Sequence, residues 1–224
     1  MNVKVIQFPG TNCDYDTKYA FDKLGCDTEI IWHKENSIDS STDLVVIAGG
    51  FSYGDYLRSG AIARFSPIMS AITSYASKGG KVLGICNGFQ VLTESHLLPG
   101  ALKRNEHLHF ISKHHHLHVV NSNNTFLRKL NIGDVLNIPI AHHDGNFFID
   151  DDGLKELYDN EQVILKYCDE NANELNPNGS VDSIAGITNK EKNIFGLMPH
   201  PERALEVVLG SDDGVKMLEG FLLD

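Results

Sequence analysis

The sequence predicts an α/β fold: an open, mostly parallel sheet flanked by helices, with an added β-rich lobe, all in one domain over residues 1–224. Three observations predict it. The first half alternates short apolar strand-like runs with helix-length segments, the pattern of crossover-connected strands in a sheet covered on both faces. The run Lys81-Val-Leu-Gly-Ile85 stops at Cys86, held between Gly84 and Gly88, which reads as a buried strand ending in a sharp turn into a helix, the two glycines supplying the backbone freedom for it. Beyond residue 106 the chain changes character to longer strand-like runs of antiparallel or mixed type.

Taken in order, Val3 to Phe8 reads as a strand, and Asp14 to Leu24 as a helix with Tyr19, Ala20, Phe21 and Leu24 on its apolar side and Gly25 as its stop. Thr28 to Trp32 and Leu44 to Ala48 are the next strands. Pro67 to Lys78 places Ile68, Ile72, Tyr75 and Ala76 at helical spacing before Gly79-Gly80, and Val82 to Ile85 follows as a strand. A helix is expected to start near Asn87. His107 to Val120, Asp134 to Ile149 and Gln162 to Cys168 read as strands, Ser183 to Met198 as a hairpin around residues 189–193, and Val215, Leu218, Phe221 and Leu222 as one stripe of a last helix. Ligands on such sheets bind outside the carboxyl ends of the strands, where Cys86 is expected.

Composition narrows the function. The 224 residues can bury a sizeable core, and Lys+Arg 19 against Asp+Glu 30 gives a formal charge of -11. With no basic cluster, a nucleic-acid partner is disfavoured. There is no signal-peptide pattern and no run near 18 apolar residues, so no membrane partner and a cytoplasmic location are expected. The cysteines at 13, 26, 86 and 168 show no C-x-x-C pair, and outside the elbow they read as small buried hydrophobes.

The elbow places a thiol where G-x-S-x-G turns place a hydroxyl. Attack on an amide or ester needs thiolate, which a helix N-terminus and a neighbouring imidazole can supply. Among eleven histidines, His200 has the best surroundings: it follows an apolar run, lies between Pro199 and Pro201, and has Glu202 two residues on. Together these make a candidate Cys86–His200–Glu202 triad. The oxyanion formed by attack needs donors, for which the N–H of Asn87 and one from Gly50 or Phe51, in the glycine-rich turn after the Leu44 strand, are the candidates. Each signal has a plainer reading: a core cysteine, a proline turn, a tight glycine turn. Their joint presence on one α/β pattern is what favours the site.

The stretch His107 to His118 invites a metal reading, since His114, His116 and His118 share one face of a strand. Side chains at i, i+2 stand about 7 Å apart and do not close a tetrahedron unaided, so no metal is expected. Neither a G-x-x-x-x-G-K-[ST] nor a G-x-G-x-x-G loop occurs, and no nucleotide-phosphate site is expected in this chain.

Gly84-Ile-Cys-Asn-Gly-Phe-Gln90 together with His200-Pro-Glu202 resembles the class I, triad-type glutamine amidotransferases, whose sheet has a flavodoxin-like core. Phe8-Pro-Gly-Thr-Asn-Cys-Asp14, Gly49-Gly-Phe-Ser-Tyr-Gly-Asp-Tyr-Leu-Arg-Ser-Gly-Ala61, Asn176-Pro-Asn-Gly-Ser180, Ile184-Ala-Gly-Ile187 and Met198-Pro-His-Pro-Glu-Arg-Ala204 are similar to the stand-alone glutaminase subunits of purine biosynthesis. The resemblance runs from the first strand to the last helix. It implies that Cys86 is the nucleophile, His200 the base and then acid, and Glu202 its orienter. It further implies that Gly50, Phe51 and Asn87 surround the oxyanion and that Gln90 lies beside bound glutamine. The implied partners are a separate synthetase, which binds ATP and magnesium and converts formylglycinamide ribonucleotide to formylglycinamidine ribonucleotide, and a small bridging subunit. Two stretches depart from the family pattern. Ala141-His-His-Asp-Gly145 stands where Ala-His-Gly-Glu-Gly is usual, and the histidine run at 114 to 118 replaces a more mixed, basic pattern. The alternatives are a cysteine peptidase or deglycase-like enzyme on a similar sheet, separable by glutamine against peptide or glyoxal turnover, and a non-catalytic binding subunit.

Overall fold

The computed structural model describes residues 1–222. Its strands are β1 (Asn2–Gln7), β2 (Asp27–Trp32), β3 (Leu44–Ile47), β4 (Lys81–Ile85), β5 (Ala101–Lys103), β6 (Ile111–Val119), β7 (Val135–His142), β8 (Asn146–Phe148), β9 (Val163–Cys168), β10 (Ile184–Thr188) and β11 (Ile194–Leu197). The helices are α1 (Asp14–Lys23), α2 (Pro67–Ser77), α3 (Asn87–Glu94), α4 (Asp151–Asp159) and α5 (Asp213–Phe221).

Nine strands form one sheet in the order β2-β1-β3-β4-β11-β10-β9-β6-β7. From β2 to β11 every pairing is parallel, and from β11 to β7 every pairing is antiparallel. The β-rich addition is therefore an antiparallel extension of the same sheet, with the two-stranded ribbon β5-β8 beside it. Central strands such as β3 and β11 are buried at every residue, as strands covered on both faces must be. Strand β7, at the sheet edge, alternates half-buried and buried positions, so only one of its faces meets the core.

The chain leaves β1 toward β2 through α1 but leaves β3 toward β4 through α2, in the opposite direction along the sheet. Right-handed crossovers then place α1 and α2 on opposite faces. The strand order reverses between β1 and β3, which opens a crevice at their carboxyl ends.

Two sequence expectations need correction, and one element lay outside them. The run expected over Asp134 to Ile149 breaks at a bend over residues 143–145 into β7 and β8, which belong to different sheets. Asn105 fastens that bend: its Nδ2 donates to the His142 carbonyl at 3.0 Å, and its Oδ1 accepts from the Gly145 N–H at 3.1 Å. The strand expected from His107 begins only at Ile111, after a turn in which Leu108 has φ 60°. Helix α4 was not anticipated, although Asp150 caps it by accepting from the Gly153 N–H at 2.8 Å. The histidines of β6 behave as the strand period requires: His115 is buried while His114, His116 and His118 share the other, more open face.

Candidate active site

The carboxyl ends of parallel strands supply the site. Cys13 lies in the loop after β1, Gly49 and Gly50 follow β3, Cys86 follows β4, and His200 follows β11. At the elbow, Cys86 itself takes a positive φ, with φ 51° and ψ -104°, a costly geometry for a residue with a side chain. Gly84 and Gly88 were expected to supply that freedom, but neither has positive φ. Their role is close approach: a Cβ on Gly88 would lie 1.9 Å from the Ile47 carbonyl oxygen, and one on Gly84 would lie 2.7 Å from the Gly88 carbonyl. The turn is pinned by the Cys86 N–H, which donates to Leu197 O at 2.8 Å, and the thiol lies 3.7 Å from the Ala141 carbonyl.

His200 is held by its backbone N–H, which donates to Pro139 O on β7 at 2.8 Å. Its Nδ1 lies 2.7 Å from Glu202 Oε1, and the two residues are only 1% and 3% exposed. Burial works against charge on this ring, yet the Glu202 carboxylate first, then Cys86 and Cys13, hold its pKa well above the ordinary imidazole value. Nδ1 is occupied by the carboxylate, and Nε2 has no hydrogen-bond partner among the described residues. That is the state of an imidazole oriented at one nitrogen and available at the other.

The remaining candidates lie on one hydrogen-bonded chain or beside it. The Ser52 N–H donates to Asn87 Oδ1 at 3.1 Å, Asn87 Nδ2 to Gln90 Oε1 at 2.8 Å, and Gln90 Nε2 to the Asp144 carbonyl at 2.7 Å. This chain runs from the turn after β3 across the first turn of α3 to the bend after β7. The N–H of Asn87, at the first position of α3, is one the helix leaves without an internal acceptor. Gly50 has φ 134°, where a Cβ would meet the Asn12 amide nitrogen at 2.6 Å. Phe51 is 45% exposed, and its N–H donates to Gly10 O at 3.1 Å, so in this conformation that donor is engaged within the protein.

Cys13 escaped the sequence reading as a site residue. Cys13 is 2% exposed, as a small buried hydrophobe would be, but its sulfur lies within 4.8 Å of ligand atoms of both His200 and Glu202. Its place just after the first parallel strand was the available signal. This is the one grouping of metal-type ligands among the described residues, and Arg203 Nη2, 3.1 Å from the Cys13 sulfur, already puts a cation against it. His142 is buried beside the site, with Nδ1 3.1 Å from Asn105 Oδ1. Burial, and after it the charge of His200, push its pKa down to about 3, so this imidazole is neutral. In the departing bend, Asp144 accepts from Ser59 Oγ at 2.9 Å and from Arg104 Nε at 3.3 Å. Near it, burial pushes Asp55 up to about 6, opposed by Ser59 and reinforced by the charge of Asp144.

A model of the CobB/CobQ-like glutamine amidotransferase domain matches residues 1–213. The phosphoribosylformylglycinamidine synthase subunit PurQ of Sulfurimonas denitrificans is 73% identical over 222 residues, 99% of each chain. Its counterpart in Campylobacter jejuni is 57% identical over 224 residues, 100% of this chain and 97% of that one. Among solved structures, PurLQS from Thermotoga maritima superposes with a TM-score of 0.89 at 39% identity, covering 99% of this chain and 97% of that one. A domain match over nearly the whole chain, with relatives this similar from end to end, places the chain in the glutamine amidotransferase family, among the PurQ subunits of phosphoribosylformylglycinamidine synthase.

Proposed function

We propose that this chain is the glutaminase subunit of phosphoribosylformylglycinamidine synthase. It hydrolyses glutamine to glutamate and ammonia through a cysteinyl thioester on Cys86. The observation that carries the reading is the buried His200–Glu202 pair together with a strand-end cysteine held at positive φ.

The Cys86 thiolate adds to the side-chain amide carbon of glutamine, and the carbonyl oxygen becomes an oxyanion facing the N–H of Asn87 and the turn at Gly50 and Phe51. As the C–N bond breaks, His200 gives its proton to the leaving nitrogen and ammonia departs. A water then attacks the thioester while His200 takes its proton. The C–S bond breaks, and glutamate leaves with the thiolate restored. Glu202 holds the ring orientation in both halves, and Gln90 lines the pocket for the amino acid. A synthetase subunit with ATP and magnesium and a small bridging subunit are the partners, in the manner of the PurLQS assembly. The activity proposed is one expected in the cytoplasm. No described helix is long and apolar enough to cross a membrane.

The Phe51 N–H, tied to Gly10 O, supports gating by the partner. Rotation of the peptides at Gly50 would release that donor toward the oxyanion. Equal glutaminase rates with and without the synthetase would remove this idea. The function is tested by Cys86→Ala in the assembled complex: glutamine-dependent synthesis should vanish while ammonia-dependent synthesis persists, and loss of both would refute the assignment.

A further inference from the structure

We infer that Cys13 is a positioning residue for the catalytic imidazole: a second thiol, held by Arg203, that bears on His200 together with Cys86. The inference rests on the glutaminase reading for its meaning, and on the following geometry for its substance.

Cys13 is fixed from all sides. Its N–H donates to Gly49 O at 3.2 Å, and its carbonyl accepts from the Thr17 N–H at 2.9 Å and the Thr17 hydroxyl at 2.7 Å, so it forms the rigid entrance to α1. Its sulfur accepts from Arg203 Nη2 at 3.1 Å, and Arg203 is itself anchored through Nε to Asp16 at 3.1 Å. Gly49 lines the place where the two side chains meet: a Cβ there would stand 2.9 Å from His200 Cε1 and 3.2 Å from the Cys13 sulfur. Nothing but a hydrogen fits, so the sulfur and the ring lie against the same bare stretch of backbone.

A thiol, an imidazole and a carboxylate this close have the donor chemistry of a soft-metal site. The guanidinium of Arg203 occupies the role of the cation, which favours a positioning network of Asp16, Arg203, Cys13 and His200 over a metal. The physical need is clear. Glu202 grips the ring at one nitrogen only, which leaves rotation about that bond to be limited by packing. A polarizable sulfur oriented by Arg203 limits it and favours the protonated ring. Among the described residues, the titratable groups that bear on His200 are Glu202 from its own turn, Cys86 from the elbow, Cys13 from the entrance to α1 and the neutral His142 from β7, while the charge of Arg203 bears on Cys13.

The test compares Cys13→Ala and Cys13→Ser with the unmodified full chain. The pH midpoint of Cys86 alkylation by iodoacetamide is read on the chain alone, and kcat and KM for glutamine are read in the complex. For Cys13→Ala the midpoint should move upward, because a less stabilised imidazolium assists the thiolate less. Its kcat should fall about tenfold with KM little changed, and Cys13→Ser should recover part of both. An unmoved midpoint and kcat in Cys13→Ala would reduce Cys13 to packing and overturn the inference. Should that variant not fold, Arg203→Gln carries the same test: removing the group that orients the sulfur should raise the midpoint, and an unchanged one overturns the inference. The alkylation midpoint needs no glutamine, so the inference can fail while the glutaminase reading stands, and the Cys86→Ala assay can refute that reading without touching it.

Discussion

Nδ1 of His200 and Oε1 of Glu202 lie 2.7 Å apart in a setting where neither residue exceeds 3% exposure. Such a pair makes sense when one partner holds the other for work at its far nitrogen, because burying two ionisable groups for stability alone is poorly rewarded.

Glu202→Gln tests this relationship. A raised imidazole pKa contributes stability that is fully present below the unfolded value near 6.5 and is lost as pH rises through the folded value. Without the carboxylate charge, His200 should lose its proton at lower pH. Glutaminase kcat should fall by about 10²- to 10⁴-fold. Steady-state kinetics and an NMR titration of the His200 ring check both, and an unshifted ring titration would deny Glu202 this role.

Gly88→Ala should damage the elbow without touching any reacting group. The added methyl would lie 1.9 Å from the Ile47 carbonyl, so β3 and α3 must separate. Overpacking of this kind costs about 1–3 kcal/mol or more, which at about 2–4 °C per kcal/mol for a chain of this size lowers Tm by several degrees. Alkylation of Cys86 should slow as well. A melt identical to that of the unmodified chain would show that the contact is relieved cheaply.

The pH dependence of stability should carry the mark of Asp55. A carboxyl raised from 3.8 to about 6 keeps its proton in the folded chain after the unfolded chain has released it. Its contribution therefore falls as pH rises from about 4 to 6 and is complete only below that window. Asp55→Asn, which imitates the protonated form, should melt higher than the unmodified chain at pH 7, and the gap should close near pH 4. A gap independent of pH would remove Asp55 as its source.

A glutamine-like electrophile should label Cys86 and leave the other cysteines alone. Burial pushes the thiols of Cys13 and Cys26 up, and that of Cys168 up to about 11, which withholds the thiolate that reacts. Peptide mapping by mass spectrometry reads the outcome directly. A label on Cys13, Cys26 or Cys168 would contradict it.

Much of this was legible in the amino-acid order. Apolar runs and glycine stops marked the parallel strands and first helices to within a residue or two, because strand and helix periods are local properties. The same holds for the elbow at Cys86 and the His200-Pro-Glu202 turn, whose chemistry lies in adjacent residues. Local patterning could not break the run after Asp134, since that bend depends on Asn105 from a distant segment. Nor could it say why Gly88 is glycine, which only the approach of the Ile47 carbonyl explains.

The sequence by itself thus determined the fold class and named the candidate thiol, imidazole and carboxylate. Only the tertiary structure decided that Cys13 joins them, held by an arginine 190 positions away. It also decided that the Phe51 N–H rests on Gly10. The reason is physical: periodicity and spacing report what a residue's neighbours along the chain require. Which groups share a crevice is set by strand order, and here the reversal between β1 and β3 brings the ends of separate strands to one place.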